Sequence, residues 1–204
     1  MKAFRHYACL FVLGLGARSY GLEIPVIVQE PAGIARVSEP VSGGISLPAG
    51  MFRPGEANFA LYEGDRQIPL QVSELVVGPK GFVRWVLLDF QLHIEANETR
   101  TLTLKTGATI KPGRALKVVQ SEESVKVDTG RIAFEVAKNK PFGLVENVTA
   151  GGKAIVSEGQ VSYIDGLADR RYTADVPSFV GVHYAGPMRA TIEVRGKFRC
   201  RSRN

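Results

Sequence analysis

The chain has 204 residues, of which 45% are apolar and 23% charged, and it carries 22 Gly and 11 Pro. That balance is the globular one for a single domain or two small ones, and it favours many short elements joined by turns over a few long helices. The formal charge of +6 sits at the two ends: Lys2, Arg5 and Arg18 come first, six basic residues against one acid fill 189–204, and residues 22–188 hold 17 Lys and Arg against 19 Asp and Glu, which excludes the basic face of a nucleic-acid reader.

The first element is an export signal. Lys2 and Arg5 precede a ten-residue apolar run, Ala8 to Ala17, and Ser19 and Gly21 supply small residues before a cleavage point at Leu22. Ten apolar residues are about half of the roughly 20 that span a bilayer, so the segment reads as a cleavable signal and not as an anchor. The residues before Cys9 make a poor lipid-attachment box, and no later run is apolar enough to cross a membrane. The expected compartment is therefore secreted or periplasmic. Loss of the signal leaves Cys200 alone and rules out an intrachain disulfide.

Strand patterns dominate from residue 24 onward. Glu23–Gln29 is β-rich but interrupted by Pro25, and 33–37 is a short β-type run. The stretch 39–50 is dense in turn formers and predicts a loop. Residues 58–62 and 67–75 predict a hairpin turning at Glu63-Gly64-Asp65. The run FVRWVLLDFQLHI at 82–94 predicts one long strand or a strand with a bulge. Trp85, inside that run, reads as a core residue, with a platform for a sugar ring as the alternative. Residues 99–106 alternate as a half-buried strand.

Strands are expected again at 116–120, 124–129 and 131–137, the last two forming a hairpin at Asp128-Thr129-Gly130. Further extended segments fall at 143–149, 153–157, 160–165, 171–175, 178–184 and 188–198. Gly43-Gly44 and Gly151-Gly152 both read as β-turns. The expected fold is all-β, a barrel or sandwich of many short, mostly antiparallel strands. The expected organisation is a signal at 1–21, one β-domain at 22–198 and a disordered tail at 199–204.

Chemistry-bearing constellations are sparse. His93 and His183, the two histidines past the signal, have no partner at ligand spacing, so no metal site and no cofactor are expected. Asp165 and Asp169 lack the alternating oxygens of a calcium loop and predict a turn. No catalytic residue is assigned. The densest polar-aromatic segment is YIDGLADRRYTADVPSFVGVHY at 163–184. Within it Arg170, Arg171, Tyr172, His183 and Tyr184 are candidates for a ligand or interdomain contact, because Tyr or His can move a proton and Arg can neutralise a carboxylate.

Three stretches carry a family resemblance: EPVSGGISLPAGMF at 39–52, FALYEGDRQIPLQVSEL at 59–75 and GFVRWVLLDFQLHIEANETRTLTLKTG at 81–107, with VDTGRIAFEV at 127–136 in the same pattern. From about residue 30 to 198 the chain resembles the N-terminal domain of the exo-rhamnogalacturonan lyase and YetA-like family. The resemblance implies a RIFT-type β-barrel that precedes an (α/α)-toroid catalytic domain in longer relatives. It also implies an acidic pectic polysaccharide as the substrate class. Catalysis in that family is expected in the helical domain, so the reading is a non-catalytic module, truncated before its enzyme. The alternatives are an autonomous secreted glycan- or surface-binding module and a small complete polysaccharide lyase.

Overall fold

The computed structural model describes residues 21–56, 58–168 and 170–201. Seven strands make the first half: β1 (Glu23–Gln29), β2 (Arg36–Ser46), β3 (Phe59–Glu63), β4 (Arg66–Ile68), β5 (Leu70–Val77), β6 (Val83–Ile94) and β7 (Thr99–Thr106). Ten make the second: β8 (Lys117–Gln120), β9 (Ser124–Asp128), β10 (Ile132–Ala137), β11 (Glu146–Ala150), β12 (Lys153–Val156), β13 (Ser162–Asp165), β14 (Arg170–Ala174), β15 (Phe179–Ala185), β16 (Ala190–Arg195) and β17 (Phe198–Arg201). Every described regular element is a strand and every pairing is antiparallel, so the all-β expectation holds. The expected signal falls outside the described residues, Gly21 apart.

The first half is a sandwich of two sheets, β1-β7-β3-β4 and β2-β6-β5. Leu61, Leu102 and Leu104 from one sheet meet Val86, Leu88 and Phe90 from the other in one apolar core. Each such side chain, fully removed from water, contributes about 1.5–3 kcal/mol. Alternation sets the faces of β6: Val86, Leu88, Phe90, Leu92 and Ile94 point inward. Its opposite face carries Trp85, Leu87, Asp89, Gln91 and His93.

Proline decides three local outcomes. Pro25 does not break β1, because β1 is an edge strand and a missing N–H on the free side costs no ladder bond. Pro40 likewise sits in edge strand β2 opposite Gln91. The loop expected at 39–50 is therefore a strand through Ser46, and Gly43-Gly44 is paired with Leu88 and Leu87 instead of turning. Pairing with the long strand β6 outweighs the turn propensity of those residues. Pro69 has the opposite effect: it divides the expected 67–75 strand, so β4 closes a hairpin on β3 while β5 crosses to the other sheet.

The second half has a meander, β12-β11-β10-β9-β8, covered by the β15-β16 ribbon. Val125, Val127, Val136 and Val180 form its smaller core. Gly151 and Gly152, with φ of 55° and 78°, make the β11–β12 turn in the mirror-image form that hairpins favour. A third sheet, β13-β14-β17, completes the molecule. Phe198–Arg201 is thus a strand paired with β14, where a disordered tail was expected from residue 199. Among the described residues no sheet closes on itself, so the open-sheet form of the expectation is the one adopted and the closed barrel is not.

One polar seam joins the halves. Asp89, 3% exposed, accepts from Arg189 Nε at 3.0 Å and from the Ser42 hydroxyl. Gln71, also buried, accepts the N–H groups of Met188 and Arg189 on its Oε1 at 2.8 and 3.1 Å. Gly186 packs directly on that amide.

Candidate functional site

The five residues singled out by sequence divide between two sheets. Arg170, Arg171 and Tyr172 lie on β14, while His183 and Tyr184 lie on β15. The Tyr172 ring packs against Tyr163 with centroids 5.8 Å apart. His183 is the extra residue of a β-bulge, exposed between Val182 and Tyr184 in the register with β16. Tyr184 lies under the Arg189 guanidinium at 5.4 Å and so belongs to the seam. Asp165 Oδ1 accepts the N–H groups of Leu167 and Ala168, which is the turn expected there. No ring contact or hydrogen bond joins the β14 group to the β15 group among the described residues.

The charge near His183 is internally balanced. Glu193, across the ribbon, is held below its ordinary carboxyl range first by the Arg195 hydrogen bond, against desolvation, and then by the charges of Arg195 and His183. Such pairing leaves little free field for a ligand.

A cleft of about 730 Å³ lies beside β14, lined by Lys140, Glu146, Glu158, Asp175 and Arg199. Four of its charges satisfy one another in pairs. Lys140 donates to buried Glu146, and that hydrogen bond raises the ammonium above its ordinary range. Arg199 donates from Nε to Asp175. A ligand that engages Lys140 or Arg199 here must displace an internal partner.

The cleft at the Trp85 end of β6 differs. It measures about 660 Å³ and is lined by Val76, Pro79, Lys80, Phe82, Arg84 and Trp85. Ligand sites commonly occupy about 300–1,000 Å³ with apolar walls and few polar groups. Trp85 is 46% exposed, which corrects its reading as core. The cause is the parity of β6, whose phase changes only beyond Trp85. Trp85 shares the outward parity of Asp89, Gln91 and His93, while Val83 of the same parity is buried. The partner strand β5 slips register at Glu74–Val76 and Val76–Val77, opposite Trp85. Counting back by two from His93 places Trp85 outward, and that signal was present in the sequence.

Local turn chemistry shapes this cleft. Gly81, at φ 76°, closes a turn in which Gly81 N–H donates to Gly78 O and Gly78 N–H to Phe82 O. Gly78 also leaves room for the Arg84 stem: an added Cβ would lie 2.9 Å from Arg84 Cγ. The Phe82 ring carries the Arg53 guanidinium at 4.6 Å. Neither Lys80 nor Arg84 forms an ion pair among the described residues. An aromatic face beside two unpaired cations suits a ring that carries an anionic group.

The described residues hold no helix long and apolar enough to cross a membrane. Compared with known proteins, the chain matches no protein-family model and no curated protein sequence.

Proposed function

We propose that this chain is an exported, non-catalytic β-module of an exo-rhamnogalacturonan lyase-like polysaccharide-degrading protein. Its role is to hold acidic pectic polysaccharide for a catalytic (α/α)-toroid domain. The observation that supports this reading is the Trp85 cleft. A pyranose ring has an apolar face that packs on indole, and a uronate carboxylate suits the unpaired Lys80 and Arg84. The internally paired charges beside β14 and around His183 support a holding role over proton transfer.

Trp85 is the only tryptophan in the sequence, so intrinsic fluorescence reports on this cleft directly. Titration with rhamnogalacturonan oligosaccharides should change the emission saturably, and Lys80→Gln with Arg84→Gln should weaken the response at least fivefold. Neutral oligosaccharides of equal length should bind more weakly. Unchanged emission throughout the titration would remove the reading. New absorbance from unsaturated uronate in the same mixtures would replace it with that of a complete lyase.

A further inference from the structure

Two clefts meet on the His93 side of β6, about 620 and 340 Å³ in volume, and share Ser38, Gln91 and Arg114. The first adds Arg131 and the second adds Arg66 and His93. Neither is lined by a carboxylate. We propose that this joined cleft binds a tetrahedral oxyanion, the sulfate or phosphate group of an ester or the free ion.

The positive charge is the first argument. Arg114 and Arg131 form no ion pair among the described residues. Arg66 pairs with Glu63, and Glu39 shares Arg36 with Glu30. Asp128, at the end of β9, accepts the Gly130 N–H. Two unneutralised guanidinium groups match a dianion.

Placement of the donors is the second. Arg114 Nη1 donates to Gly130 O at 2.8 Å, and its stem lies where a Cβ on Gly130 would be. This fixes the fork and leaves its other N–H groups for a ligand. His93 Nδ1 accepts the Ser38 N–H at 2.9 Å, so the proton of the neutral ring sits on Nε2. Ser38 and Gln91 also line both clefts. These donors come from β2, β6, the segment before β8 and the β9–β10 turn, and so approach from several directions. Four oxygens around one centre can accept from several directions, whereas a carboxylate offers two oxygens in one plane.

Backbone strain is the third. Ser38 has φ of 52°, a left-handed conformation unusual outside glycine, in a bulge where β2 slips register between Arg36 and Glu39. Such strain is retained where the surroundings impose it, and it concentrates at binding sites. Here it brings Ser38 to His93.

Amide chemical shifts of the isotope-labelled full chain test the proposal. Sodium sulfate, sodium phosphate and sodium acetate are titrated at constant ionic strength balanced with chloride. Sulfate, phosphate or both should shift the amides of Ser38, Gln91, Gly130 and Arg131 to saturation, and which of the two saturates identifies the ester class. Arg114→Gln combined with Arg131→Gln should weaken that binding at least fivefold. Arg131→Lys, which keeps the charge without the fork, should weaken it less. Arg170→Gln with Arg171→Gln should leave it unchanged, which controls for loss of surface charge, and so should Trp85→Ala, which separates this cleft from the sugar cleft. Acetate saturating the same amides equally well would overturn the assignment. So would shifts that rise without saturation and persist in the Arg114/Arg131 double variant.

Discussion

Asp89 and Arg189 lie 100 residues apart in sequence, and Arg189 Nε donates to Asp89 Oδ2 at 3.0 Å across the seam between the two cores. Asp89 is almost fully buried, and a third of the Arg189 side chain still reaches water. Removing the arginine leaves a buried carboxylate with only Ser42 and Gln71 as donors. Arg189→Met should therefore lower unfolding free energy by about 1–3 kcal/mol in a denaturant titration. Asp89→Asn combined with it should cost less than the two single changes added together, because both remove the same interaction.

Gly186 faces the Gln71 amide so closely that an added methyl would occupy its place. The amide is not free to move, since its oxygen holds Met188 and Arg189 and its nitrogen lies 3.3 Å from Arg189 O. Gly186→Ala should cost about 1–3 kcal/mol through those unsatisfied groups. Limited proteolysis should show faster cleavage in 107–116, the connection between the halves. Equal stability and equal cleavage would show that Gln71 can be displaced without loss.

Glu30 sets a pH dependence. Burial pushes its carboxyl upward, but the N–H groups of Asn97, Ile34 and Ala32 outweigh this and hold it below the ordinary 4.5. A carboxyl lowered by folding stabilises above its unfolded value, and that contribution disappears as pH falls through the folded value. Thermal stability should drop below about pH 4.5, with a shallower slope in Glu30→Gln than in the parent. Parallel slopes for the two proteins would refute this role.

Leu88 and Trp85 occupy the same strand with opposite surroundings, since Leu88 is 1% exposed and Trp85 is 46% exposed. Leu88→Ala should cost about 2–5 kcal/mol, the range for truncating a core leucine. Trp85→Ala should cost less than about 1.5 kcal/mol, because much of its surface remains in water in the folded protein. Chemical denaturation of the two variants side by side checks the contrast. Gly44→Ala should be tolerated too, since the added Cβ would lie at ordinary contact distance, 3.7 Å, from the Trp85 ring.

The strands that were legible in sequence are those whose own residues specify them. β6 and β7 show inward Leu and Val at period two, and the β9–β10 hairpin carries its Gly130 turn, at φ 78°. β2 was not legible because Pro40, Gly43 and Gly44 oppose a strand locally, and only the ladder with β6 overrides them. β17 was hidden for a related reason: Phe198–Arg201 has no pattern of its own and is defined by β14. Among the candidate residues, Tyr184 was found by composition, but its partner Arg189 is a seam contact that no local pattern announces. The outward position of Trp85 follows from period two in β6 and was legible, whereas the shape of its cleft depends on register slips in β5 and the His93 cleft on a bulge in β2. Both are irregularities of pairing, which a period-two reading averages away.

The ladder between β1 and β7 also has a consequence in time. Leu22 N–H bonds to Thr106 Oγ1, 84 residues later, whereas β8 to β12 each pair with the strand next in sequence. On a ribosome adding about 5–20 residues per second, the first strand waits roughly 4–17 s for its partner. During that interval Ile24, Val26 and Val28 have no sheet to cover them. Pro25 interrupts the run at its start, and a strand lacking one donor is a poorer template for a neighbouring chain. The proline that local propensity counts against the strand thus guards it while it waits.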